Sequence, residues 1–184
     1  MKQVAEPAYW ELAPGMVIPR RRMIRRMALI RPATAEDEDA IVELSLLAWE
    51  PVFASMAGII GPALARQLFS DDWRRYQEDD VRRACRTYEV WVAEADGAVA
   101  GFTAVHLPDG EPHGEIYMLA VHPDHQRQGI GVQLTQFAAD QMRTAGRDMA
   151  IVNTGGDPGH APARSTYERA GFVSLPQAQY YLLL

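Results

Sequence analysis

Apolar positions change their period near residue 88, which separates a helical first half from a mixed second half. A short strand, Met27 to Arg31, comes first. Thr34 and Asp37 are then spaced like a capping box, and the carboxylates of Glu36, Asp37 and Glu38 suit the positive start of a helix. Ile41, Leu44, Leu47 and Ala48 follow at helical spacing, and Pro51 is expected to stop the run. Pro62 to Arg86 reads as a second helical region, broken near Ser70–Asp71. From Tyr88 the period is two. Tyr88 to Glu94, Ala98 to His106 and Glu115 to Val121 read as a meander, its first turn at Asp96-Gly97. Gly129 to Ala145 is helical again, with Ile130, Leu134, Phe137, Ala138 and Met142 on one face and Gly146 as its stop. Met149 to Thr154 is a strand, Ala163 to Ala170 a short helix, and Phe172 to Ser174 and Tyr180 to Leu184 two closing strands. The order predicts an α/β (α+β) fold, with a mixed, mostly antiparallel sheet of six to seven strands and about four flanking helices.

Composition narrows the picture. The 184 residues amount to one domain's worth, and 48% hydrophobic with 23% charged residues excludes a disordered chain. The lone Cys85 has no internal disulfide partner, so a reducing, cytoplasmic setting is expected. Met56 to Ala65, the longest apolar stretch, is too short to span a bilayer, so no membrane partner is expected. The net charge of −6 is uneven: seven basic residues against Glu6 and Glu11 make residues 1–31 positive, and the remainder carries −11. An acidic body disfavours nucleic acid and favours cationic small molecules. Residues 1–24, which include Arg20, Arg21 and Arg22 of the Arg20–Arg26 cluster, are expected to form a flexible extension of a domain spanning 25–184.

The richest chemistry lies at the end of the third meander strand. Leu119, Ala120 and Val121 lead through His122-Pro123-Asp124 into a loop of Gln126, Arg127, Gln128, Gly129, Ile130 and Gly131 that opens a helix. Such a loop aims several backbone N–H groups and a positive helix end at one point, a seat for a diphosphate. A dinucleotide fingerprint would need a third glycine where Leu134 stands, and no Gly-Lys-Ser/Thr occurs. His122 and His125 lack a third ligand at convincing spacing, so no metal site is expected.

The run Gln126-x-x-Gly129-x-Gly131 resembles motif A of the GNAT N-acetyltransferase superfamily. Ala163-Arg-Ser-Thr-Tyr167-Glu-Arg-Ala-Gly171-Phe172 is similar to the family's motif B. The resemblance implies a V-shaped splay between the strand of Glu115–Val121 and that of Met149–Thr154, where main-chain groups take the amides of a pantetheine arm. It implies acetyl-CoA as co-substrate. Leu119, Ala120 and Val121 would lie on the arm and the acetyl carbonyl, and the amides from Arg127 to Gly131 on the pyrophosphate. Tyr167 would be the general acid and Glu115 the base, with His113 and His106 as substitutes. Asn153 and His160 would also meet the cofactor, although His160 stands where motif B usually has asparagine. Gly155-Gly156 replace the glutamate that relatives acting on protein N-termini often carry. Trp49, Phe53, Trp73 and Tyr76 would line the acceptor side or belong to the core. The expected reaction is acetyl transfer to a small primary amine, with a homodimer possible. The alternative is a catalytically silent acyl-CoA-binding module acting through a partner.

Overall fold

A single carboxylate ties the first strand to the first helix. In the computed structural model, which describes residues 28–184, β1 (Leu29–Pro32) passes through a 3-10 turn at Ala35–Asp37 into α1 (Glu38–Phe69). The extension expected over residues 1–24 lies outside the described residues. Asp37 accepts from the Thr34 N–H and hydroxyl at 2.7 and 3.0 Å and from the Arg31 guanidinium at 2.8 and 2.9 Å. Arg31 also bonds Glu94 at 3.0 Å. With only 7% of its surface exposed, Asp37 is held by Arg31 well below the usual carboxylate range.

Pro51 does not stop α1. The helix runs through it and breaks instead at Gly61 (φ 80°, ψ 163°), next to Pro62. A proline removes one N–H bond and crowds the residue before it. At Pro51 the helix continues because Phe53, just beyond, is buried: it stacks on Trp73 at 4.6 Å and meets Phe69 edge-on at 5.1 Å. The permissive glycine before Pro62 takes the break. By length and mean hydropathy the continuous stretch Ala35–Phe69 would also suffice to cross a bilayer. Its buried residues Ile41, Val42 and Leu44, however, pack into the core. α2 (Trp73–Thr87) follows a break at Ser70–Asp72, and Asp72 caps it by accepting from the Arg74 N–H at 3.0 Å.

The sheet then forms as a meander of β2 (Glu89–Ala95), β3 (Ala98–His106) and β4 (His113–Val121), and β5 (Met149–Val152) is added by a crossover through α3 (Ile130–Thr144). Spatial order equals chain order; β1 to β4 are antiparallel and β5 is parallel to β4. One face carries α1 and α2 over Val92, Phe102, Ala104, Met118 and Ala120. The other carries α3, whose Ile130, Leu134, Ala138 and Met142 meet Trp91, Ala93, Val105 and Ile116. α4 (Ala161–Arg169) follows β5 after a loop and a 3-10 turn.

Two departures matter for the site. In the β3–β4 ladder Ala104 faces Met118 but Val105 faces Ile116, so Tyr117 is an extra residue on β4. Such a bulge bends its strand. The β4–β5 ladder ends at the same place, with Ile116 opposite Val152. Secondly, the sheet has five strands among the described residues, and the strands expected at Phe172 to Ser174 and Tyr180 to Leu184 are not formed. Phe172 packs near Tyr167 and Val152, but Val173 is 95% and Leu182 82% exposed. A period of two makes a strand only where an edge accepts its hydrogen bonds. No such pairing is made here.

Asp37→Asn is expected to lower folding stability by about 2 kcal/mol, through the lost cap and charge-assisted bonds. Because the folded-state pKa is depressed, this contribution is present at neutral pH and declines as pH falls below about 4. Urea unfolding of both proteins between pH 3 and 7 checks it: the difference should shrink at the acid end.

Candidate active site

Beyond Ile116, residues 117–121 of β4 have lost their β5 neighbour, and the two strands open into a cleft of about 720 Å³. Leu119, Ala120 and Val121 line one wall and Val152, Asn153 and Thr154 the other. Leu119 also packs toward α3, and Ala120 is buried toward α1 and α2, so their side chains are core while their main chain borders the cleft.

The mouth of the cleft is the loop into α3. The Gln126 side-chain amide donates to the Val121 carbonyl at 3.1 Å, and that of Gln128 to the Asp124 carbonyl at 3.2 Å. These glutamines brace the turn. Arg127 (φ 59°) and Gly129 (φ 92°) are left-handed, which folds the loop back on itself. The Gln126 N–H bonds the Pro123 carbonyl, and the next amide with a backbone acceptor is that of Gln133, bonded to Gly129; the amides of residues 127–132 have none among the described residues. They are the orphan donors of a helix start. A side chain at Gly131 would meet Thr166 Cγ2 at 3.2 Å, so this glycine also seats α4 against α3. His122 acts within the turn, its Nδ1 accepting from the Asp124 N–H at 3.2 Å.

Tyr167, on α4, reaches the cleft from its far side. It is 8% exposed, packs near Phe172 at 6.1 Å, and its phenol is pushed up to about 12 by burial. It therefore stays protonated throughout the ordinary pH range. Glu115 lies at the base of the fork, where its Oε1 accepts from the Asn153 side-chain amide at 2.9 Å and His106 Nδ1 stands 3.9 Å from Oε2. That bond commits the Asn153 side chain to the carboxylate. His113 pairs instead with Glu111 at 3.8 Å, and neither His106 nor His113 lines the cleft. Burial pushes the Cys85 thiol up to about 11, the state of a packing residue.

Of the aromatic residues expected on the acceptor side, Trp49 borders the cleft, whereas Phe53, Trp73 and Tyr76 form an aromatic cluster of their own. Sequence reasoning missed Gln77, Asp80 and Tyr117, which the cleft includes. The Tyr117 hydroxyl donates to Asp80 at 2.9 Å and accepts from Arg83 at 2.7 Å. Only the bulge brings Tyr117 to that face, and nothing in the sequence marks it. His160, in the loop before α4, lines the cleft too, and its Nδ1 is paired with Asp157.

A strand pair that splays open facing the amide-rich entrance of a helix is what the family resemblance implied; the bulge at Tyr117 is added by the structure. Residues 62–172 match the acetyltransferase (GNAT) family, and the chain belongs to it. Among curated proteins it is 38% identical over 88 residues to mycothiol acetyltransferase of Saccharomonospora viridis, covering 44% of this chain and 28% of that protein. It is 28% identical over 148 residues to S-(2-succino)cysteine N-acetyltransferase of Bacillus subtilis, covering 78% and 82%. The chain thus spans little more than a quarter of the mycothiol enzyme it resembles. Among solved structures the BH1408 protein of Bacillus halodurans superposes with a TM-score of 0.64 at 16% identity, over 85% of this chain and 99% of that one, a likeness of fold.

Gly129→Glu puts a side chain at a left-handed position and a negative charge among the loop amides. Coenzyme A is expected to raise the melting temperature of the wild type and leave that of the variant unmoved, as read by differential scanning fluorimetry. An equal rise in both would remove the loop from the site.

Proposed function

We propose that this chain is an acetyl-CoA-dependent N-acetyltransferase that passes the acetyl group directly to a primary amine of a small molecule. The observation that carries the reading is the coincidence of the fork between β4 and β5 with the unpaired amides of residues 127–132. Unsatisfied main-chain polar groups at a fork need a partner, and an amide-bearing chain fits them as an added strand would. A row of free amides at a helix start fits phosphate oxygens, and Arg127 adds positive charge. The cofactor would bring an activated thioester; the protein would supply orientation and control of protons.

Acyl transfer to an amine asks for a proton donor at the departing sulfur and a stabiliser for charge developing on the carbonyl oxygen. Tyr167, protonated by burial and facing the cleft, suits the first task. Its hydroxyl makes no hydrogen bond with the described residues, so its proton is available to a ligand. A main-chain amide near Ala120 suits the second. Glu115 supplies a carboxylate at the fork, fixed by Asn153, to steady an ammonium group. The acidic body of the chain favours a cationic acceptor. The name of the Bacillus subtilis relative specifies an S-substituted cysteine, a small primary-amine acceptor that itself bears carboxylates.

A panel of small amines, including S-substituted cysteines and polyamines, tests the reading by free-thiol release from acetyl-CoA. At least one amine should stimulate release, and Tyr167→Phe should lower kcat by about a hundredfold while coenzyme A still binds. Coenzyme A binding without release on any amine would instead favour a catalytically silent module.

A further inference from the structure

The loop between β5 and α4 holds a half-buried acid–imidazole couple. Asp157 uses both carboxylate oxygens: Oδ1 pairs with His160 Nδ1, and Oδ2 accepts from the Gly159 N–H at 2.9 Å. The Ser55 hydroxyl of α1 also bonds Asp157, and it accepts from the Gly159 N–H at 3.0 Å. Burial opposes ionisation of Asp157, but the bonds from Ser55, His160 and Gly159 outweigh it and hold the carboxyl below its ordinary value. Only 9% of the Asp157 side chain and 18% of the His160 side chain are exposed.

The couple is built in. The Arg164 guanidinium donates to the Gly155 and Asp157 carbonyls, fastening the loop to α4. At Gly155 any Cβ would collide with Asp157 Oδ1 and His160 Nδ1, so the glycine makes room for the pair. A carboxylate only accepts, so Nδ1 carries the hydrogen in the neutral ring and the lone pair stands on Nε2. His160 lines the cleft that Tyr167 reaches. His160 stands at the N-cap of α4 and Tyr167 lies within it, so one helix and its entrance bring both to that cleft.

We infer that His160, oriented by Asp157, is the general base that takes the proton from the acceptor's ammonium group. The inference rests on the transfer reaction proposed above and assigns to His160 a role other than the cofactor contact that motif resemblance implied. The ammonium gives one proton to Nε2, and the freed nitrogen lone pair forms a bond to the acetyl carbon. The carbon–sulfur bond breaks, its electron pair goes to sulfur, and sulfur takes the phenolic proton of Tyr167. The nitrogen's surplus proton restores the phenol, and the imidazolium releases its proton to solvent. One ammonium and one thioester become one amide, one thiol and one proton. Glu115 steadies the ammonium, and Asp157 is a positioning residue.

Asp157 shares the loop with the imidazole, and Arg164 of α4 holds that loop by its carbonyls; Asp80, Glu115, His125, Arg127 and Arg169 are the other acidic and basic residues lining the cleft, and α1 contributes the uncharged Ser55 and Val52. The test is the pH profile of kcat/KM on an amine that the wild type turns over. His160→Gln should lower kcat at least a hundredfold, abolish the acidic limb of the profile and preserve the thermal shift given by coenzyme A. Asp157→Asn should lower kcat about tenfold and move that limb, and it reads the same pair if His160→Gln does not accumulate. Glu115→Gln should raise KM and keep the limb. A limb that survives in the His160 or Asp157 variant, or disappears in Glu115→Gln, overturns the assignment. A wild type that turns over no amine overturns the transfer reading itself, so the two failures are told apart.

Discussion

Past Ile116, half of the main-chain hydrogen-bonding capacity of β4 points away from β3 toward a strand that is no longer alongside. Tyr117, the one residue too many in the ladder with β3, marks where this begins. A bulge twists and redirects its strand, and a short β5 of four residues cannot follow. Unpaired amides and carbonyls in a partly buried place are costly unless something bonds them. The fork is therefore a standing demand for a ligand with a peptide-like backbone, and the rest of the fold is arranged around it.

Four elements converge on that demand, each held by its own local chemistry. The turn after β4 is braced by the side chains of Gln126 and Gln128, which leaves the following amides uncommitted. α3 is fixed beneath the sheet by Leu134, Ala138 and Met142, so its start is aimed at the fork. α4 brings a buried tyrosine to one side, and the loop before it brings an imidazole whose orientation is set by a carboxylate. α1 contributes Trp49 as wall and Ser55 as a tether for that loop. The walls of the cleft thus come from separate parts of the chain, which suits the proposed reaction joining two substrates.

The features legible in the sequence were those with a fixed spacing and a local cause. The Thr34–Asp37 cap, the Asp96-Gly97 turn, the amphipathic face of α3 and the glycine loop need only neighbours along the chain. What was illegible depends on contacts across it. Pro51 was read as a stop, but burial of Phe53 carries the helix past it. The tail after Phe172 alternates like a strand yet finds no edge. The bulge at Tyr117 is a register fact, invisible until β3 and β4 are paired. His160 and Asp157 could be named from the sequence, but their bond to each other and to Ser55, more than a hundred positions away, could not.

The fork itself is best examined by hydrogen–deuterium exchange of backbone amides, with and without coenzyme A. If the open strand and the helix entrance receive the ligand, exchange should slow at residues 119–121 and 127–132 together, with little change in β1 to β3. Slowing confined to other parts of the chain, or exchange at these two stretches that is indifferent to saturating ligand, would contradict the account.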